Sequence, residues 1–309
     1  MSVTPPNGRS LQTGSGRRSC LLTLFVILGV IIVLTAILGG AAYFIGGVGD
    51  KSFGEGVGVV ELKGIIVNPE PTLKTLNWFS RDKGIKAIIL RIDSPGGGVA
   101  ATQEIYREVM RVRQKKKVIA SLGSIAASGG IYVASAAHQI LANPGTLTGS
   151  VAVILQFANY EELFRKVGLR SVAIKSGEFK DIGSPTRKMT AKEKEILQRV
   201  VEQIHQQFIK DVAKARKMPV EKVAALADGR IFTGEEAVSL GLVDNLGNFE
   251  DAVALTQKML GLKTRPKLIY PKRKKFLIWD LLTGKGQADL LPDWFRFPFK
   301  LQYLYAPSL

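Results

Sequence analysis

Two residue types that commonly build reactive centres are almost missing from this sequence. There is one cysteine, Cys20. A single cysteine excludes an internal disulfide and any cysteine-rich zinc site. There are two histidines, His138 and His205, which argues against a histidine metal centre. Neither residue type is therefore expected to build a metal site. Acidic residues are also scarce: 26 Asp and Glu stand against 43 Lys and Arg, a net charge of +17. That sign points to nucleic acid or to an anionic membrane. Disorder is excluded, because 46 % of the 309 residues are hydrophobic. The chain is long enough to bury a sizeable core.

Charge disappears altogether over residues 21–45, "LLTLFVILGVIIVLTAILGGAAYFI". A run of that length is enough to span a bilayer, and a soluble helix as long would carry a polar face; the small residues of "LGGAAYFIGG" leave a cleaved signal peptide as the alternative to an uncleaved anchor. Arg9, Arg17 and Arg18 precede it with no acid among them, whereas Asp50 and Glu55 follow it beside Lys51. The positive-inside rule then puts the N-terminus in the cytoplasm and the rest of the chain outside. Residues 266–309 hold eight Lys/Arg and three Asp among Trp279, Trp294, Phe295, Phe297, Phe299, Tyr303 and Tyr305. Beside an anchor, that mixture fits a lipid surface better than nucleic acid. Four parts are expected: a cytoplasmic stub (1–20), a transmembrane anchor (21–46), a globular domain (55–265) and a basic aromatic tail (266–309).

Within the globular part, apolar runs alternate with amphipathic ones. Residues 57–62, 86–93, 117–121, 139–143 and 171–175 read as strands buried on both faces. Residues 99–114, 127–137 and 159–167 have helical character between them. This alternation predicts an α/β fold of βαβ units around a mainly parallel sheet. Residues 190–217 read as one long helix, with Thr190 and Glu193 as a capping box. Its stripe of Ile196, Val200, Ile204 and Phe208 is expected to pack on the sheet.

Two glycine-rich loops follow predicted strands: "DSPGGG" (93–98) and "GSIAASGG" (123–130). In a parallel sheet, such loops gather at one edge, where ligands bind. Each leads into a helix whose first amides lack partners. Two such loops side by side offer two N–H groups to one oxygen, as an oxyanion hole requires. Neither loop has the spacing of a dinucleotide site or of a phosphate-binding P-loop. A serine at the second turn, Ser128, makes acyl chemistry the better reading.

A serine hydroxyl needs a base. His138 is ten residues along the same predicted helix, about 15 Å away at 1.5 Å per residue, and does not reach. His205 falls in the long amphipathic helix, where a packing or surface role is expected. A lysine is the remaining choice, and to act as a base it must lose its charge, a fall from about 10.4 toward about 7–8. Desolvation against an apolar wall supplies such a shift. The segment "KSGEFKDIGSPTRKMT" (175–190) carries the candidates, and composition alone does not choose among them.

The motifs "DSPGGG", "GSIAASGGIYVA", "NPGTLTGSVAV", "KSGEFKDIGSPTRKMT" and "IFTGEEAVSLGLVDNLG" occur in this order over residues 57–262. Together they resemble the signal peptide peptidase A family, membrane-anchored serine–lysine proteases distantly related to Clp protease and crotonase. The length resembles the half-length members. The resemblance implies a crotonase/Clp-protease-like fold preceded by one transmembrane helix, with Ser128 as nucleophile and Lys180 as general base. Ser150 matches the hydroxyl that holds the lysine. Gly129 and Gly97 match the oxyanion donors, with Gly96 as a neighbouring possibility for the second. Ile131 stands where tyrosine is common in the family. The resemblance further implies a homo-oligomer in which serine and lysine come from neighbouring copies. Its substrates would be signal peptides and similar apolar peptides, met at the outer face of the cytoplasmic membrane. Glu178 and Asp181 flank Lys180 and would hold its proton on, so both are expected to point away. Within the family, a peptidase of other membrane-protein fragments or an enzyme that removes acyl groups from lysines is an open alternative. The rivals outside it are a crotonase-like enzyme acting on thioesters, an inactive structural protein and a nucleic-acid-binding module. Ser128, Lys180, the anchor and the external location all speak against them.

Overall fold

The computed structural model describes residues 24–38, 56–271 and 302–304. Residues 24–38 form a helix, α1, whose side chains are exposed. Fifteen residues at about 1.5 Å each reach roughly 22 Å, short of a hydrocarbon core of about 30 Å. Among the described residues, no helix is long and apolar enough to cross a membrane. Both ends of the expected anchor lie outside the described residues, as does the stub.

Residues 56–271 form a mixed α/β fold on a largely parallel sheet. Its strands are β1 (Gly56–Lys63), β2 (Ile85–Ser94), β4 (Lys117–Ala127), β5 (Gln139–Ala142), β6 (Leu147–Gly149), β7 (Ile231–Thr233), β8 (Asn245–Leu246) and β9 (Lys267–Ile269). The order is β7-β6-β4-β2-β1-β9, with β5 on β4 and β8 on β5. Every pairing in this sheet is parallel except β6 with β7. A short strand β3 (Gly96–Gly98) follows β2 and pairs antiparallel with β10 (Gln302–Leu304) in a separate two-stranded sheet.

The alternation of side chains along β2 explains the layers. Ile88, Leu90 and Ile92 face one way, into a core shared with Phe79 of α2 (Glu70–Arg81), Ile105 and Val109 of α3 (Val99–Val112), and Tyr132 of α4 (Gly129–Ser135). Ala87 and Ile89 face the other way, with Val57 and Val253. Val253 belongs to α9 (Phe249–Met259). Both faces are covered, which is why these strands read as continuous apolar runs.

The structure corrects four expectations. Residues 171–175 are not a strand; they are exposed, and Ile174 is 100 % accessible. Residues 123–127 are not a loop, because β4 runs on to Ala127 and only Ser128 makes the turn. The long helix α6 (Ala191–Arg216) has the predicted capping box, with Thr190 accepting from the Glu193 N–H. Its stripe is buried only from Phe208 onward, and Phe208 meets the ring of Tyr132 at 4.6 Å rather than lying flat on the sheet. Finally, β9 pairs with β1, so the first residues given to the tail belong to the sheet.

Candidate active site

β4 is long enough to hold two neighbours on one edge. Its first half pairs with β5 and its second half with β6. The last register pair is Ala127 with Gly149. The residues that follow are Ser128 and Ser150, so the two serines stand side by side at adjacent strand ends. Both have positive φ, 51° for Ser128 and 52° for Ser150. Non-glycine residues adopt this region at a cost of about 1–3 kcal/mol and do so disproportionately at functional sites. Ser128 is held there on both sides: its N–H donates to the Gly149 carbonyl at 2.8 Å, and its carbonyl accepts from the Tyr132 N–H at 3.0 Å. It is 1 % exposed. The Ser150 N–H donates to the Arg230 carbonyl at 2.7 Å.

The two glycine segments do come together. A Cβ on Gly129 would lie 3.1 Å from Gly96 Cα and 2.9 Å from Thr102 Oγ1. A Cβ on Gly97 would lie 2.1 Å from the Ile66 carbonyl oxygen. Only glycine permits either approach. The Gly98 N–H donates to Ile66 O, and Gly96 O accepts from the Ile66 N–H, both at 2.8 Å. Strand parity therefore turns the N–H and C=O of Gly97 to the opposite edge, where β10 pairs with Tyr303 opposite Gly97. The Gly96 N–H is already taken by Ser94 Oγ at 3.1 Å. Of the two candidates for the second donor, Gly97 is thus the amide turned to the edge strand. The tail segment expected on lipid has these three residues, 302–304, against the site; the rest of it beyond Pro271 lies outside the described residues.

Lys180 stands on another segment, between β6 and the long helix. It is exposed, in a run of turns over 176–187, and among the described residues no hydrogen bond joins it to Ser128 or Ser150. The acids beside it are committed elsewhere, as expected. Glu178 pairs with Lys192 at 3.2 Å. Asp181 pairs with Lys175 and with Arg187, the latter at 2.9 Å. Those hydrogen bonds, from Arg187 first and Lys175 second, hold the Asp181 carboxyl well below the usual carboxylate range. Arg187 also pairs with Glu193, whose carboxyl is lowered to about 2 mainly by that guanidinium.

Among the described residues neither histidine is hydrogen-bonded to Ser128. α4 ends at Ser135, so His138 lies beyond it, just before β5. Its Nδ1 accepts from the Val118 N–H at 3.1 Å, near the start of β4 and at the far end from Ser128. Burial lowers its pKa. His205 is half-buried on α6. Among the described residues no group of acids, histidines and cysteines is arranged to hold a metal.

Sequence reasoning missed two residues. Thr102 is fully buried beneath Gly129, and its hydroxyl lacks a hydrogen-bond partner among the described residues. Arg187 joins Asp181 to Glu193, and its six-residue spacing from each was the only local signal.

The sequence pattern of peptidase family S49 matches residues 110–263, and that of Clp protease matches residues 70–147. A putative protease of Synechocystis sp. is 45 % identical over 237 residues, 76 % of this chain and 85 % of that protein. A putative signal peptide peptidase SppA of Enterococcus faecium is 36 % identical over 62 % of this chain and 56 % of its own length. The chloroplastic serine protease SPPA of Arabidopsis thaliana is 32 % identical over 76 % of this chain. The chain spans only 35 % of that plant relative.

Proposed function

The chain belongs to the signal peptide peptidase A family of serine proteases, within peptidase family S49, and on that footing we propose that it cleaves apolar peptides with a Ser128–Lys180 dyad. One observation carries the reading: Ser128 and Ser150 occupy positive-φ turns at adjacent strand ends, with Gly129 against the Gly96–Gly97 segment.

In this reading a neutral Lys180 takes the Ser128 hydroxyl proton, and the alkoxide attacks a peptide carbonyl. The N–H groups of Gly129 and Gly97 hold the resulting oxyanion, a contribution of about 2.7–4 kcal/mol per donor. Protonated Lys180 then gives its proton to the leaving amine, and water clears the acyl-enzyme by the reverse steps. Ser150 holds the lysine. No cofactor enters.

Lys180 comes from a second copy of the chain. Two features support this. Lys180 is exposed within its own chain. The segment leading to it displays unpartnered apolar side chains, among them Val172 at 84 % and Ile174 at 100 % exposure. Packing that segment on a neighbour would bury these side chains and carry the lysine to a serine. Residues 21–46 anchor the enzyme in the cytoplasmic membrane with the catalytic domain outside, where signal peptides and lipid are both at hand. Nucleic acid is not a partner.

The test is complementation. Full-length Ser128→Ala and Lys180→Ala chains, each inactive alone on a fluorogenic apolar peptide, are co-expressed. Recovered cleavage supports a dyad shared between copies. No recovery from correctly assembled mixtures rejects sharing, and an active Lys180→Ala chain rejects the dyad.

A further inference from the structure

The turn that carries Lys180 is crowded with charge, and its hydrogen bonds are unevenly distributed. Lys175, Glu178, Asp181, Arg187, Lys188, Lys192 and Glu193 all lie on it or on the start of α6. Arg187 alone supplies five hydrogen bonds. Its Nε donates to Asp181 Oδ2 at 2.9 Å and its Nη2 to the Asp181 carbonyl at 3.2 Å. Its Nη1 donates to Glu193 Oε2 at 2.8 Å and to the Lys188 carbonyl at 3.1 Å. Nη2 also reaches Glu193 Oε1. Glu193 in turn is 2 % exposed and closes the capping box of α6 by accepting from the Thr190 N–H at 2.8 Å. The guanidinium therefore ties the residue after Lys180 to the rigid end of a 26-residue helix.

Asp181 is the acid closest in sequence to Lys180. A carboxylate within about 4–6 Å of an ammonium favours the charged form by about 1–3 pH units, and a base must be uncharged. Both oxygens of the Asp181 carboxylate are already engaged, one by Arg187 and the other by Lys175. Glu178 is drawn off by Lys192. The planar fork of arginine suits two carboxylates at once, which a lysine ammonium does not match.

We infer that Arg187 is a positioning residue for the reaction: it pins the Lys180 turn to α6 and withholds the Asp181 carboxylate from the base. The inference rests on the dyad proposed above. It differs from a purely structural role in what pH does. If Arg187 only stiffened the turn, its loss would lower cleavage by the same factor at every pH. If it withholds a carboxylate, its loss lets Asp181 face Lys180, and the base then needs a higher pH to work.

The test is the pH dependence of kcat/KM for peptide cleavage by the full chain. It compares wild type, Arg187→Met, Arg187→Lys, Asp181→Asn, the double variant Arg187→Met with Asp181→Asn, and Lys180→Ala. In Arg187→Met the acid limb is expected to move up by about one pH unit or more, with most of the lost activity regained at alkaline pH. Arg187→Lys should move it less. The double variant should return the limb to near its wild-type position, because the carboxylate is gone. An acid limb unmoved in both Arg187 variants overturns the inference and leaves the dyad standing. So does a double variant as displaced as Arg187→Met. If Lys180→Ala stays active, the dyad itself fails and the inference with it. Should Arg187→Met not assemble, Arg187→Lys with and without Asp181→Asn gives the same comparison.

Discussion

At Gly129 the demand is steric. The missing side chain is what lets two glycine segments touch, and its neighbours are a backbone Cα and the buried Thr102 rather than a flexible chain end. Gly129→Ala forces those segments apart. Overpacking of this kind costs about 1–3 kcal/mol of stability, and displacing one oxyanion donor typically lowers kcat by about 10²–10³-fold. We therefore expect Gly129→Ala to remain folded, with KM little changed and kcat down by about two orders of magnitude. Steady-state kinetics beside a denaturant titration checks this; a proportional rise in KM would show that the residue serves binding instead. Ser128 and the glycines were legible as candidates at this scale, because small residues clustered at a turn are a local signal. Ser150 was legible only through the resemblance, since its place beside Ser128 comes from the register of β6 on β4. Arg187 was not legible. Its partners are defined by how the turn folds back on α6, and one more basic residue in a sequence with 43 of them carries no mark.

Among the elements, strands β1, β2, β4 and β5 could be read from the sequence because they are covered on both faces by their own chain. Residues 171–175 have the same apolar pattern and no such cover. The pattern reports that a segment avoids water, and it does not say which molecule shields it. The long helix was misjudged in a related way. Its stripe is regular throughout, yet only the half carrying Phe208, Ile209, Val212 and Ala213 meets the core. The pairing of β10 with β3 could not have been foreseen, because edge pairing to a triglycine leaves no side-chain signature. It has a consequence for peptides. An extended substrate that pairs along Gly96–Gly98 must displace Gln302–Leu304 from the same edge. Removing residues 272–309 is expected to lower KM for short apolar peptides several-fold with kcat near unchanged. A KM unaltered by the truncation would mean that substrates use another edge.

At the scale of the whole molecule, the two members of the proposed dyad differ in how their own chain holds them. Ser128 is locked at the end of a central strand among fully buried neighbours. Lys180 rides on turns at the end of a stretch, 155–180, that pairs with no strand and is mostly exposed. Segments with few buried contacts open locally at a fraction of the free energy of global unfolding. Heat should therefore reach the two halves at different temperatures. On warming, cleavage is expected to fade while the sheet is still intact, and to return on cooling as long as the core has not melted. Activity assays after brief heating, read beside circular dichroism at the same temperature, would show the two curves apart. The turn behind Lys180 would then act as a thermal fuse, switching the enzyme off before the core is at risk.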